Sequence, residues 1–179
     1  MLTRTAGTTL AAAGLVAGGA LVGPTVIAPE TSGTVAAAQS VEDRRQNIID
    51  RAKHWTDQGV PYDMTKYAAD PDGVNYRTDC SGFVSMAWGL DTSLSTVTLL
   101  EVAHEIPKDD LQPGDILLKG GPGTAGAAGH VTIFNGWANA ERTAYHGLEQ
   151  AGATGAVERV ISYPYDQDDS YVPYRGNGL

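Results

Sequence analysis

The sequence predicts an α+β domain, with helices leading and an antiparallel sheet following. Three observations predict it. Ile48, Ile49, Ala52 and Trp55 recur at helical spacing and give one apolar face. Residues 80–88 read as a second, shorter helix with Phe83, Val84, Ala87 and Trp88 inward, ended by Gly89. Residues 131–137, 143–149 and 157–163 are then three strand-like runs, with Asn135-Gly136 and Ala151-Gly152 at or near turns.

The 179-residue chain opens like an export signal. Arg4 supplies a thin positive region, and Leu10 to Val22 is an uncharged run of Ala, Leu, Val and Gly. Ala36-Ala37-Ala38 offers a cleavage site before Gln39. Five interruptions, Gly14, Gly18, Gly19, Gly23 and Pro24, argue against a membrane span. The reading is therefore residues 1–38 as a secretory signal peptide and residues 39–179 as one soluble domain, secreted or wall-associated and monomeric. The net charge of −9 argues against binding nucleic acid or anionic membrane through bulk charge.

Element by element, Ser40 caps a first helix spanning about 41–58, with Glu42 and Asp43 in its first turn and Gly59 as its stop. Residues 59–79 read as a long loop with a turn at Pro71-Asp72-Gly73. Residues 98–105 read as a short helix carrying His104. Leu111-Gln112-Pro113-Gly114-Asp115 is a turn before a strand at Ile116-Leu117-Leu118. The glycine-rich stretch 120–129 reads as a mobile connection beside a cleft, and Tyr163, Tyr165, Tyr171 and Tyr174 as a tail packed on the domain. The acids Asp166, Asp168 and Asp169 lack the glycine and terminal glutamate of a calcium loop and read as a solvated turn.

Chemistry concentrates at Cys80, the only cysteine. With no partner for an internal disulfide, it is a buried spectator, an intermolecular link or a working thiol. Its place at a helix start, between Asp79 and Ser81, favours the last, because unpaired N–H groups and the helix dipole there stabilise a thiolate. A thiol nucleophile needs an imidazole. Of the four histidines, His130 opens a strand beside a glycine loop and is the choice; His146, mid-strand, is the rival. A third group must orient the ring. Strand alternation puts His146, Leu148 and Gln150 on one face and Tyr145, Gly147 and Glu149 on the other, so only one set faces the histidine. One cysteine and four scattered histidines lack zinc spacing, so neither a metal nor a cofactor is expected.

Asp79-Cys80-Ser81-Gly82-Phe83-Val84, Leu111-Gln112-Pro113-Gly114-Asp115-Ile116 and Gly129-His130-Val131-Thr132-Ile133-Phe134, in that order, resemble the NlpC/p-sixty cell-wall peptidases. Gly59-Val60-Pro61-Tyr62 resembles the segment that precedes their nucleophile, and the likeness runs from about residue 41 to 163. The resemblance implies a papain-like fold and cleavage of amide bonds in peptidoglycan stem peptides, often after D-glutamate linked through its γ-carboxyl. It implies Cys80 as nucleophile, with its backbone N–H stabilising the oxyanion, and His130 as base. It further implies that Asp79 and Ser81 hold the amine end of the substrate and that Tyr62 lines the cleft. Asp63-Met64-Thr65-Lys66-Tyr67 replaces the tryptophan and glycine pair common in relatives. The family's third residue is a polar side chain, often histidine, a place His146 fits. Leu148-Glu149-Gln150 instead resembles the Glu-Gln pair of the related CHAP amidases, and the reading takes Glu149 as the orienting group.

The expected function is thus a secreted cysteine hydrolase acting on peptidoglycan or muropeptides. The alternatives are an N-acetylmuramoyl-L-alanine amidase or acyl or amide transferase on the same fold, and a non-catalytic secreted binding module.

Overall fold

A computed structural model describes residues 39–179; the expected signal segment lies outside them. Helix α1 spans Val41–Gln58. Ser40 Oγ accepts from the Asp43 N–H at 3.0 Å, and the Asp43 carboxylate accepts in return from the Ser40 N–H. This reciprocal cap satisfies donors that a helix start leaves free. Gly59 ends the helix at φ 59°, a left-handed conformation that favours glycine. Ile48, Ile49, Ala52 and Trp55 are all buried, as their spacing predicts.

Residues 59–79 depart from the expected loop. They hold an antiparallel hairpin, β1 Asp63–Ala69 with β2 Asn75–Thr78, turning at Pro71-Asp72-Gly73. Arg51 of α1 fastens it, donating to Asp70 at 2.5 Å, to Asp72 at 2.8 Å and to the Met86 carbonyl at 2.9 Å. Asp70 is buried and also accepts the backbone N–H groups of Asp72 and Val74, which closes the turn.

Helix α2 spans Cys80–Ala87, and every residue in it is buried. The expected helix at 98–105 is instead a 3-10 turn at Thr98–Glu101 followed by strand β3, Ala103–Glu105. His104 therefore sits on an exposed edge strand, bonded to Asn177 at 3.0 Å.

Strands β4 Ile116–Lys119, β5 His130–Trp137, β6 Ala144–Ala151, β7 Gly155–Ser162 and β8 Val172–Gly176 complete the main sheet. Its order is β3-β8-β4-β5-β6-β7, with every neighbouring pair antiparallel. The tyrosine tail thus contributes an inner strand, β8, which sequence reading took as a packed tail. Asn135-Gly136 marks no turn; it lies within β5, where Gly136 at φ 104° accompanies an irregularity in register against β6.

Strand alternation divides the core. Ile116, Leu118, Val131, Ile133 and Leu148 pack with the helices through Trp55, Phe83 and Val84. Leu117, Phe134, Tyr145 and Ile161 form a second cluster on the other face, covered by Ile106, Leu111 and Tyr171. Asp115, fully buried in the Gly114-Asp115 turn, joins these parts. It accepts from Arg45 of α1 at 3.1 Å and from two nitrogens of Arg175 on β8 at 3.0 and 2.8 Å. Among the described residues no helix is long and apolar enough to cross a membrane.

Candidate active site

Cys80 is the first residue of α2. Asp79 caps it from an extended backbone, its Oδ1 accepting from the Gly82 N–H at 2.7 Å. Gly82 leaves the chain space to turn so sharply: a Cβ there would lie 2.0 Å from the Arg77 carbonyl oxygen. Helix α2 then continues into the core, with every residue buried.

His130 is the first residue of β5, and its ring is mostly buried. Its Nε2 donates to Glu149 Oε2 at 2.7 Å. That bond leaves Nδ1 for Cys80, which lies close enough to favour the charged imidazole. Thr132 and Phe134 share the His130 face of β5, and Gly147 and Tyr145 share the Glu149 face of β6; Phe134 and Tyr145 meet in the second cluster. Ile133 pairs with Leu148, so Glu149 comes up opposite Thr132, and His130, two residues back on the same face of β5, is its diagonal neighbour.

Glu149 is fully buried and has three partners. Besides His130, it accepts from Arg159 Nε at 2.5 Å through Oε1 and from the Tyr165 hydroxyl at 2.9 Å through Oε2. Burial alone would raise its pKa. The bonds and charge of His130 and Arg159 outweigh burial and hold the carboxyl below its ordinary range. Burial likewise disfavours a charged His130, but Cys80 and Glu149 prevail and push it up to about 9. Tyr165 and Tyr171 stack on each other at 4.4 Å, and both present rings edge-on to His130, at 5.1 and 6.3 Å.

This arrangement has a consequence for folding. A histidine whose pKa rises from 6.5 unfolded to about 9 folded stabilises the fold in full below pH 6.5. That stabilisation is lost as pH climbs through about 9. Thermal melts are expected to show a falling midpoint between pH 6.5 and 9, and His130→Ala is expected to flatten that slope.

The other candidate residues lie as follows. Tyr62, Asp79 and Ser81 line a cleft of about 180 Å³ with Cys80, together with Arg77, Ser95, Thr96 and Gly126. Gly126 belongs to the glycine-rich stretch, which Thr96 tethers through its hydroxyl bond to the Thr124 carbonyl at 2.7 Å. His146 is exposed and lies off the Glu149 face. Gln150 is buried away from His130, donating to the Val60 and Pro61 carbonyls at 3.1 and 3.2 Å, and so holds the segment that carries Tyr62. A larger cavity of about 360 Å³ lies elsewhere, between α1, Trp88 and the C-terminal residues, and contains no cysteine or histidine.

Sequence reasoning missed Arg77, Arg159 and Tyr165. Arg159 carried a signal. Alternation places it on one face of β7 with Ile161, which is fully buried, and a cation there calls for a buried anion.

No family model matches the sequence, and no curated protein matches it. Among solved structures, the chain is similar to one described as similar to a lipoprotein, of the NLP/p-sixty family, from Staphylococcus aureus subsp. aureus Mu50. The identity is 19% and the TM-score 0.48, over 79% of this chain and 44% of that one. The chain thus spans less than half the length of that protein, and a likeness of this degree assigns no residue a role.

Proposed function

We propose that this protein is a secreted cysteine hydrolase that cleaves amide bonds in peptidoglycan stem peptides. The observation that carries the reading is the His130–Glu149 hydrogen bond at 2.7 Å beside Cys80, which starts a helix and lines a cleft. The substrate class rests on the three sequence motifs around Cys80, Asp115 and His130, whose wording resembles the cell-wall peptidases.

In this reading His130 is protonated through neutral pH, consistent with its raised value. Cys80 Sγ attacks the scissile carbonyl carbon. The oxyanion takes the Cys80 backbone N–H, which has no partner within the helix. His130 passes its proton to the departing amine nitrogen as the C–N bond breaks. Water then adds to the thioester, His130 accepts its proton, and the C–S bond breaks to release the acid. Glu149 keeps the ring oriented throughout.

A second reading, an N-acetylmuramoyl-L-alanine amidase, is favoured by the Glu149-Gln150 pair, in which the glutamate meets the histidine. Mass spectrometry of muropeptides incubated with residues 39–179 separates the two. A new amino terminus within the stem marks the peptidase, and one on L-alanine marks the amidase. Cys80→Ala is expected to abolish either product; unchanged digestion by that variant would remove both readings.

A further inference from the structure

The subsite beside Cys80 contains one carboxylate, Asp79, and one guanidinium, Arg77. The carboxylate already has three partners. Its Oδ1 accepts the Gly82 N–H at 2.7 Å and the Ser81 hydroxyl at 3.3 Å, and its Oδ2 accepts Arg77 Nε at 2.5 Å. Its side chain is 11% exposed. Ser81 is held as well, accepting from Arg77 Nη2 at 3.1 Å. Arg77 is also anchored to the Leu94 carbonyl at 2.8 Å.

What remains unmatched in the cleft is donors. The Nη1 N–H groups of Arg77 and the hydroxyl of Tyr62 have no protein acceptor among the described residues. Tyr62 has its pKa raised by burial and by neighbouring Cys80 and Asp79, so its hydroxyl stays protonated and able to donate. Ser95 and Thr96, the other hydroxyls, are occupied with Thr98 and with the Thr124 carbonyl. An incoming ammonium would meet a guanidinium and a carboxylate whose charge that guanidinium already pairs. An incoming carboxylate would meet two free donors, one of them charged.

We propose that the Tyr62–Arg77 subsite takes a carboxylate of the substrate in place of a free ammonium group. This departs from what the sequence motif implies for Asp79 and Ser81. It rests on the reading of Cys80 as the cleft nucleophile only for its placement; the recognition itself depends on Arg77. The ligand class is an acidic peptide whose carboxylate lies next to the bond presented to Cys80.

The test uses three matched short stem peptides that differ only at the amino terminus: free amine, N-acetyl and N-succinyl. Each is scored in two ways, by hydrolysis and by its protection of Cys80 from iodoacetamide. The succinyl peptide is expected to exceed the free amine by roughly tenfold to a hundredfold in both, as for one charge-assisted hydrogen bond. The acetyl form is expected to fall between. Added salt should compress the series. Arg77→Gln should erase it and Arg77→Lys should retain part, although the unsubstituted protein alone decides the order. Protection in the predicted order without hydrolysis would leave the subsite standing and remove the proposed reaction. A free amine that binds or reacts as well as the succinyl peptide, or no protection by any of the three, would overturn the subsite.

Discussion

Replacing Glu149 with glutamine is expected to lower kcat/KM on the order of 10²- to 10⁴-fold, with most of the loss in kcat. The shape of the side chain survives, and the amide still has an oxygen for one of the former partners. The charge does not survive. Glu149 now holds the His130 ring by its Nε2 proton at 2.7 Å, which fixes the tautomer and turns Nδ1 to Cys80. A glutamine amide offers that nitrogen either a neutral acceptor or a donor, and the latter reverses the ring's hydrogen bond. The carboxylate also supports the protonated imidazole. With it, His130 is held up at about 9, so activity is expected to fall through an alkaline limb near that pH. In Glu149→Gln the limb should move toward lower pH, because one of the two groups that raise His130 is gone. A pH profile of kcat/KM for the two proteins checks the direction. A profile left unmoved would show that Glu149 is structural. Glu149→Ala is the harsher change, since it also leaves Arg159 and Tyr165 facing an empty buried site.

The largest loss of stability is expected at a residue with no part in the chemistry. Asp115→Ala should destabilise the fold by about 3–5 kcal/mol, the usual cost of removing one partner from a buried ion pair. The reason is Arg45. Its side chain is 6% exposed and its Nη1 has two acceptors, Asp115 and the Pro113 carbonyl. Removing the carboxylate strands that cation in the core and frees Arg175, which Asp115 grips with both oxygens. The Gln112 N–H loses its acceptor as well. The three joined parts are α1, the turn before β4 and strand β8. Urea melts of the variant should shift the midpoint down with little change in slope; a shift below about 1 kcal/mol would contradict the account.

How much of this was legible follows from range. Helix α1 was readable because its signals are local: a cap three residues from its partner, apolar residues at helical spacing, a glycine to stop it. Strands β4 to β7 were readable for the same reason. The β1–β2 hairpin was not, because Asp63, Met64, Thr65, Lys66 and Tyr67 are solvated or partly so and show no apolar alternation. What holds the hairpin is Arg51, from a different element. Strand β8 was hidden by Pro173. A proline cannot donate to a ladder and argues against an inner strand. Here its carbonyl still accepts the Ile106 N–H at 3.1 Å, and its neighbours carry the pairing with β3 and β4.

The site divides in the same way. Cys80 and His130 announced themselves by residue type and by position on an element, whereas Glu149 was one candidate of several on the next strand, singled out by the resemblance of its Glu-Gln pair to the CHAP amidases. The choice between Glu149 and His146 turned on which face of β6 meets His130, and alternation poses that question without answering it. The register of β5 against β6 supplies the answer. Arg159 and Tyr165 reach Glu149 from 10 and 16 residues away, through strand pairing and a turn, and no short motif records that.

The central claim is that one thiol performs the reaction, and the chain contains only one. Iodoacetamide titration of residues 39–179 at neutral pH, followed by intact mass and residual peptidoglycan hydrolysis on the same samples, tests it most directly. The account predicts a single carbamidomethyl group, on Cys80, with activity lost in proportion to its occupancy. Protein fully alkylated at Cys80 and still hydrolysing at its original rate would contradict it.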